Sequence, residues 1–183
     1  MTTLIEAITS IAKGFLDEEP KPPLHVGEVM ALWTALALHQ EGYSMYELAM
    51  NTTTDPDLLH ALRKARESSA EDIHSIKEFL VKEGVPLPTT SEPKPHANPN
   101  AIPYGVKLTD DEICNLISAK VASSIALCGS GIAESVRADV GYLFLQSMVR
   151  LMKFGAPLRV LMRERGWIKI PPYYYPPGGI PNQ

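Results

Sequence analysis

The sequence lacks most of the features that announce a chemistry. Only two cysteines, Cys114 and Cys128, stand among its 183 residues. Both fall on one expected helix, where a rise of ~1.5 Å per residue puts them roughly 21 Å apart. A disulfide spans at most about 7 Å between Cα atoms, so the two do not bridge, and a reducing cytosol is the expected compartment. Basic residues are not in excess: 17 Lys and Arg face 21 Asp and Glu, for a net charge of −4. That balance argues against nucleic acid as a partner. Arg159, Arg163, Arg165 and Lys169 read as cations near a helix C-terminus, where the helix dipole favours them. No uncharged apolar run reaches about eighteen residues, so no membrane span is expected. The first residues, Met1-Thr-Thr-Leu-Ile-Glu, lack the basic and apolar regions of a signal peptide. Nucleophilic triads, CxxC pairs and phosphate loops are missing. Gly129-Ser130-Gly131 follows no expected strand and reads as close helix packing. What remains is 45% hydrophobic and 21% charged residues, close to globular averages and enough for one core in a single domain over 1–183.

Apolar residues at helical spacing organise the chain as an all-α protein. Residues 1–22 read as a short N-terminal helix and linker. Leu4, Ile8, Ile11 and Phe15 form the helix face, and Pro20, Pro22 and Pro23 stop it. Residues 23–166 read as a four-helix bundle. The first long helix, about 23–51, has the seam His25, Val29, Leu32, Leu36, His39, Tyr43, Tyr46 and Met50, widened by Val26, Met30 and Trp33. Asp55 and Pro56 open the second helix, and Gly84 closes it. Its seam is Leu58, Leu62, Ala65, Ser69, Ile73, Ile76 and Leu80. Six prolines in residues 85–107 exclude a helix or central strand and predict a long crossover along the bundle. Thr109 and Glu112 form a capping box at the start of the third helix. Ile113, Leu116, Ile117, Val121, Ile125 and Cys128 carry its core face, with a kink or stop expected near Gly129–Gly131. The fourth helix, about 135–165, uses Val140, Leu143, Ser147, Leu151, Phe154, Leu158 and Leu161; Gly155 and Pro157 predict a kink at 153–157. Gly166 ends it. Residues 167–183 form an extended, polyproline-like tail, with Trp167, Ile168, Ile170, Tyr173 and Tyr174 as anchors.

Three groups of residues are candidates for function. Four-helix bundles can house a carboxylate-bridged metal pair, built from Glu residues and Glu-x-x-His motifs. The second helix holds Glu71-Asp-Ile-His74. At ~100° per residue, however, Glu71 and His74 point away from the apolar seam. They share a solvated stripe with His60, Lys64, Glu67 and Glu78, and the fourth helix has no matching motif. No metal and no other cofactor are therefore expected. On the first helix, His25 and His39 fall on the seam with Glu28 at its edge. They read as hydrogen-bonded core residues rather than ligands. In the tail, Tyr173, Tyr174 and Tyr175 between proline pairs read as a strap on the bundle or, with Trp167, as a docking segment for another protein or another copy of this chain.

The tail also carries a resemblance. Gly166-Trp-Ile-Lys-Ile-Pro-Pro-Tyr-Tyr-Tyr-Pro-Pro-Gly178 follows a long helix that opens with Val136-Arg-Ala-Asp139. With Glu28-Val-Met-Ala-Leu-Trp33 and Gly84-Val-Pro-Leu-Pro88, it resembles an uncharacterised ferritin-like family of spore-forming bacteria, some of whose members are named as candidate spore coat proteins. The resemblance covers residues 24 to 178. It implies a ferritin-like bundle and a link to sporulation, and it implies no catalytic residues. The leading expectation is a non-catalytic structural or interaction protein, cytoplasmic and incorporated into the spore coat. A ferritin-like metal-binding protein or oxidoreductase, and a helical binder of a small ligand, are the alternatives.

Overall fold

A computed structural model describes residues 20–174 and, outside that span, residues 3, 6, 9 and 177. Most of the expected helix over 3–15 and Tyr175 lie outside the described residues. Four long helices follow: α1 Val26–Met50, α2 Pro56–Lys82, α3 Asp110–Glu134 and α4 Ala138–Glu164. Local chemistry sets their ends. Asp55 accepts the N–H groups of Asp57 and Leu58 at 3.0 and 2.9 Å, with Pro56 in the first helical position. Thr109 and Glu112 exchange side-chain and backbone bonds in the expected capping box. Gly84 and Gly166 follow α2 and α4 with φ of 73° and 72°, a left-handed conformation that costs glycine least.

Neighbouring helices are α1 with α2, α3 with α4, α1 with α3 and α2 with α4. The core falls into two apolar layers. One joins the end of α1 to the start of α2, the start of α3 and the end of α4, around Tyr46, Leu58, Leu62, Ile113, Ile117 and Met162. The other joins the opposite ends, around Leu32, Leu36, Leu80, Cys128, Val140 and Phe144. Helices α2 and α3 therefore run parallel, and residues 85–107 must travel the length of the bundle. This is the ferritin-like arrangement, with its long connection between the second and third helices. The crossover is extended except for two short 3-10 turns, Pro99–Ala101 and Tyr104–Val106. It is pinned where it passes α1. The Asn51 amide donates to Pro95 O at 2.9 Å and accepts from Ala97 N at 3.0 Å, and Glu47 accepts from Lys94 N at 2.9 Å.

Several expectations need correction. His25 is not on the core face: it is the N-cap of α1, and its Nδ1 accepts the Gly27 N–H at 3.0 Å. Val26, Met30 and Trp33 lie on the outer face of α1 and are exposed. Leu116 is half exposed. Helix α3 does not stop at Gly129–Gly131 but continues to Glu134, and Gly131 lets the Phe144 ring sit where a Cβ would be. Helix α4 runs through Pro157 to Glu164, the span expected of it. The stretch Tyr104–Glu134 is long and apolar enough to cross a membrane by length and composition, although Lys120 interrupts it. Its face bearing Ile113, Ile117, Val121 and Cys128 packs inside the bundle.

Candidate functional site

Between the two apolar layers lies a polar one. The seam of α2 runs Ala65, Ser69, Asp72, Ile76, so a carboxylate occupies a core position at 3% exposure. His39 from α1 and Ser147 from α4, also buried, meet it there. His39 Nε2 lies 3.1 Å from Ser147 Oγ across the bundle diagonal. The Ser69 hydroxyl donates to His39 O at 3.1 Å. His39 Nδ1 stands 3.9 Å from Asp72 Oδ2, too long for a hydrogen bond. Arg150 approaches from α4, its Nε 3.3 Å from Asp72 Oδ1 and 3.6 Å from Glu71 Oε2. The angle to Asp72 is poor, so among the described residues the Arg150 Nε–H has no hydrogen-bond acceptor. Lys120 comes from α3. Its methylenes fill the space opposite Gly42, and its ammonium lies 5.6 Å from the Tyr46 ring centre.

Burial dominates the charge states of this layer. It pushes His39 down from 6.5 to about 3, with Lys120 and Arg150 adding to the effect. It pushes Asp72 up from 3.8 to about 6, against the pull of Arg150 and the Ser147 hydrogen bond. It also lowers Lys120, against the attraction of Asp72. At neutral pH the layer therefore holds a neutral imidazole and a carboxylate, beside the Arg150 guanidinium and the Lys120 amine. Burial raises both thiols, Cys114 to about 12, which makes neither a ready nucleophile.

These donors do not fit the carboxylate-bridged metal pair of ferritin-like bundles. Among the described residues, no three His, Cys, Asp or Glu side chains converge. The layer offers one carboxylate and one imidazole, while a guanidinium and an ammonium bring positive charge where a metal would need ligands. Glu71 and His74 point outward as the periodicity predicts, and His74 pairs with Glu78 at 3.4 Å. Glu28 is buried but serves the backbone. Its carboxylate accepts the N–H groups of Val136 and Arg137 at 2.9 and 2.8 Å and of His25 at 3.1 Å, which joins the start of α1 to the α3–α4 turn. Beside it the buried Arg137 grips Glu83 through two bonds of 2.8 and 2.9 Å and also pairs with Asp139. Arg137, Asp72, Arg150 and Lys120 are the residues that sequence reasoning missed.

The tail leaves the bundle beside the first apolar layer. Trp167 and Ile168 are half-buried against that layer. The Trp167 N–H donates to Met162 O at 2.8 Å, and its carbonyl accepts from Asn115 at 2.9 Å. Lys169 pairs with Asp111. The other expected anchors do not pack on their own bundle: Ile170 is 59%, Tyr173 75% and Tyr174 83% exposed.

A family model for proteins of unknown function, DUF3231, matches residues 13–180. The chain belongs to the DUF3231 family. Relatives of this DUF3231 protein match over most of its length. The uncharacterised protein YvdQ of Bacillus subtilis is 29% identical over 162 residues, covering 88% of this chain and 95% of YvdQ. The crystal structure of a candidate spore coat protein from Bacillus halodurans superposes with a TM-score of 0.82 at 32% identity, covering 85% of this chain and 98% of that one. A two-domain protein from Anabaena variabilis with DJ-1/ThiJ/PfpI-like and ferritin-like domains matches with a TM-score of 0.62 at 16% identity, over 95% of this chain and 52% of that one. That last likeness speaks to fold alone.

Proposed function

We propose that this DUF3231 protein is a non-catalytic interaction protein of the spore coat. The observation that carries the reading is the tail. Its base is held on the bundle by Trp167 and Ile168, while Ile170, Tyr173 and Tyr174 stand in solvent on a proline-stiffened segment. Exposed, conformationally restricted aromatics bind a partner at low entropic cost. The polar layer supports the same reading, since His39 and Asp72 are buried in it, and the two thiols, which lie in the apolar layers, are kept protonated by burial. The relation to a Bacillus halodurans candidate spore coat protein supplies the setting. The test is a fluorescent fusion expressed in sporulating Bacillus subtilis. A ring around the forespore that disappears on deletion of residues 170–183 is expected. Diffuse fluorescence in the mother cell would contradict the proposal.

A second reading, a small-ligand binder, draws on one feature. Helices α2 and α4 leave an open cavity of about 1000 Å³ beside Pro157, lined by Lys64, Arg150, Phe154 and Leu161 among others. Enhanced fluorescence of an anilinonaphthalene dye on the native protein, abolished by Ala61→Trp, would favour it. An unchanged dye spectrum would remove it.

A further inference from the structure

Helix α3 presents an outer face without charge. Between Glu112 and Glu134 the sequence contains one ionisable side chain of fixed charge, Lys120. That lysine is turned toward α1, over Tyr46 and against Gly42. The exposed residues Leu116, Ala119, Ser123, Ala126, Ser130 and Ala133 follow one another in steps of three and four. This is the heptad spacing of a helix that packs along its length against another helix. A second observation is independent of that spacing. The most apolar stretch of this segment is hydrophobic enough for a membrane, yet only 28% of it is buried in the bundle. Apolar surface is continued on the flanks by Leu48 and Met152, 48% and 56% exposed.

We propose that this face binds a second copy of the same chain, with the two α3 helices antiparallel across a two-fold axis. Three arguments select this occupant. A charge-free face can meet itself without burying like charges, as a two-fold interface requires. The antiparallel register that aligns the two heptads sets Leu116 against the partner's Ala133, Ala119 against the partner's Ser130, and Ser123 against the partner's Ala126. The one large side chain then falls on a small one at each end, and the small residues between them allow the axes to approach to ~8 Å. Helix α3 with its flanks offers a patch of roughly 30 by 20 Å, so a pair would bury about 1,200 Å², the lower bound for a specific protein interface. A bilayer is the weaker occupant, because Ser123 and Ser130 would enter hydrocarbon and Leu116 is the only large side chain of the seam. The dimer is read from α3 and its flanks alone and does not depend on a role in the coat.

The test is the mass of the full chain in solution by light scattering at high micromolar concentration. Twice the 20.1 kDa of one chain is expected for the wild type. Ala126→Glu, exposed and compatible with a helix, should reduce it to one chain with unchanged helicity. Lys77→Glu on the far side of the bundle should leave the dimer intact. If Ala126→Glu does not fold, the double variant Ser123→Cys/Ala126→Cys decides: under mild oxidation it should form a covalent dimer, because the native Cys114 and Cys128 are buried. A wild type of 20.1 kDa, a dimer that survives Ala126→Glu, or no covalent dimer from the cysteine pair would overturn the proposal. Sedimentation of the wild type with phosphatidylcholine–phosphatidylglycerol vesicles would overturn it in favour of a membrane surface.

Discussion

The middle of the bundle and its two ends are built on different principles. At the ends, side chains such as Leu36, Phe144, Leu58 and Ile117 are fully buried within the apolar layers. In the middle, His39, Asp72 and Ser147 are equally buried but polar, and each relies on a particular partner. The apolar layers tolerate imprecision and supply most of the stability, since burying a large side chain contributes roughly 1.5–3 kcal/mol. The polar layer is costly unless satisfied, so it contributes register more than stability. A ferritin-like fold can keep such a layer without metal if the chain supplies its own cations, here Arg150 and Lys120.

The contrast can be broken most strongly at the ends. Phe144→Ala removes a ring that is 1% exposed and packed against Gly131. It should destabilise the protein by ~3–5 kcal/mol in denaturant unfolding, through lost transfer energy and a residual cavity. The tail separates into two parts by the same logic. Deleting residues 167–183 should lower stability by about 2 kcal/mol, because Trp167 and Ile168 are partly buried. Deleting only 170–183 should change the melting temperature much less, since Ile170, Tyr173 and Tyr174 are mostly exposed.

In the middle, His39→Ala should cost ~1–3 kcal/mol, from lost packing and the stranded Ser147 hydroxyl. A change close to zero would show that His39 is not held as described. The layer also predicts a pH dependence with two opposing parts. His39 is moved from 6.5 down to about 3, so the unfolded chain takes up this proton first, and acidification below pH 6.5 lowers stability. Asp72 is moved from 3.8 up to about 6, so the folded chain takes up this proton first, and acidification through pH 6 raises stability. The His39 displacement is the larger and begins at higher pH. Between pH 7 and pH 5 the wild type should therefore lose on the order of 1 kcal/mol. Urea midpoints across that range should show a steeper loss in Asp72→Asn and a gain on acidification in His39→Gln.

The ends were legible in the sequence, and the middle only at His39, Ser69 and Ser147, which fall on the core seams and are buried. The helix starts at Asp55 and Thr109, the crossover, and the apolar seams follow from spacing and capping chemistry alone. A charged residue, by contrast, reads as solvent-facing, so Asp72 was hidden beside Glu71 in an apparently polar stripe. The spacing Ala65, Ser69, Asp72, Ile76 was the available signal, with Ser147 and His39 as polar residues at core positions of two other helices. His25 was misread because the same periodicity extends one residue beyond the helix, where the imidazole nitrogen caps the backbone instead. The tail's composition indicated anchors but not where they stop, because exposure depends on how far the chain stays against α3 and α4.

The contrast is tested most directly by elemental analysis of the protein purified without chelators and then equilibrated with iron(II) or manganese(II). The account predicts less than stoichiometric metal, unchanged by Asp72→Asn, because Arg150 and Lys120 hold the charge that a metal pair would otherwise bring. Two metal ions per chain, lost in Asp72→Asn or His39→Ala, would contradict it.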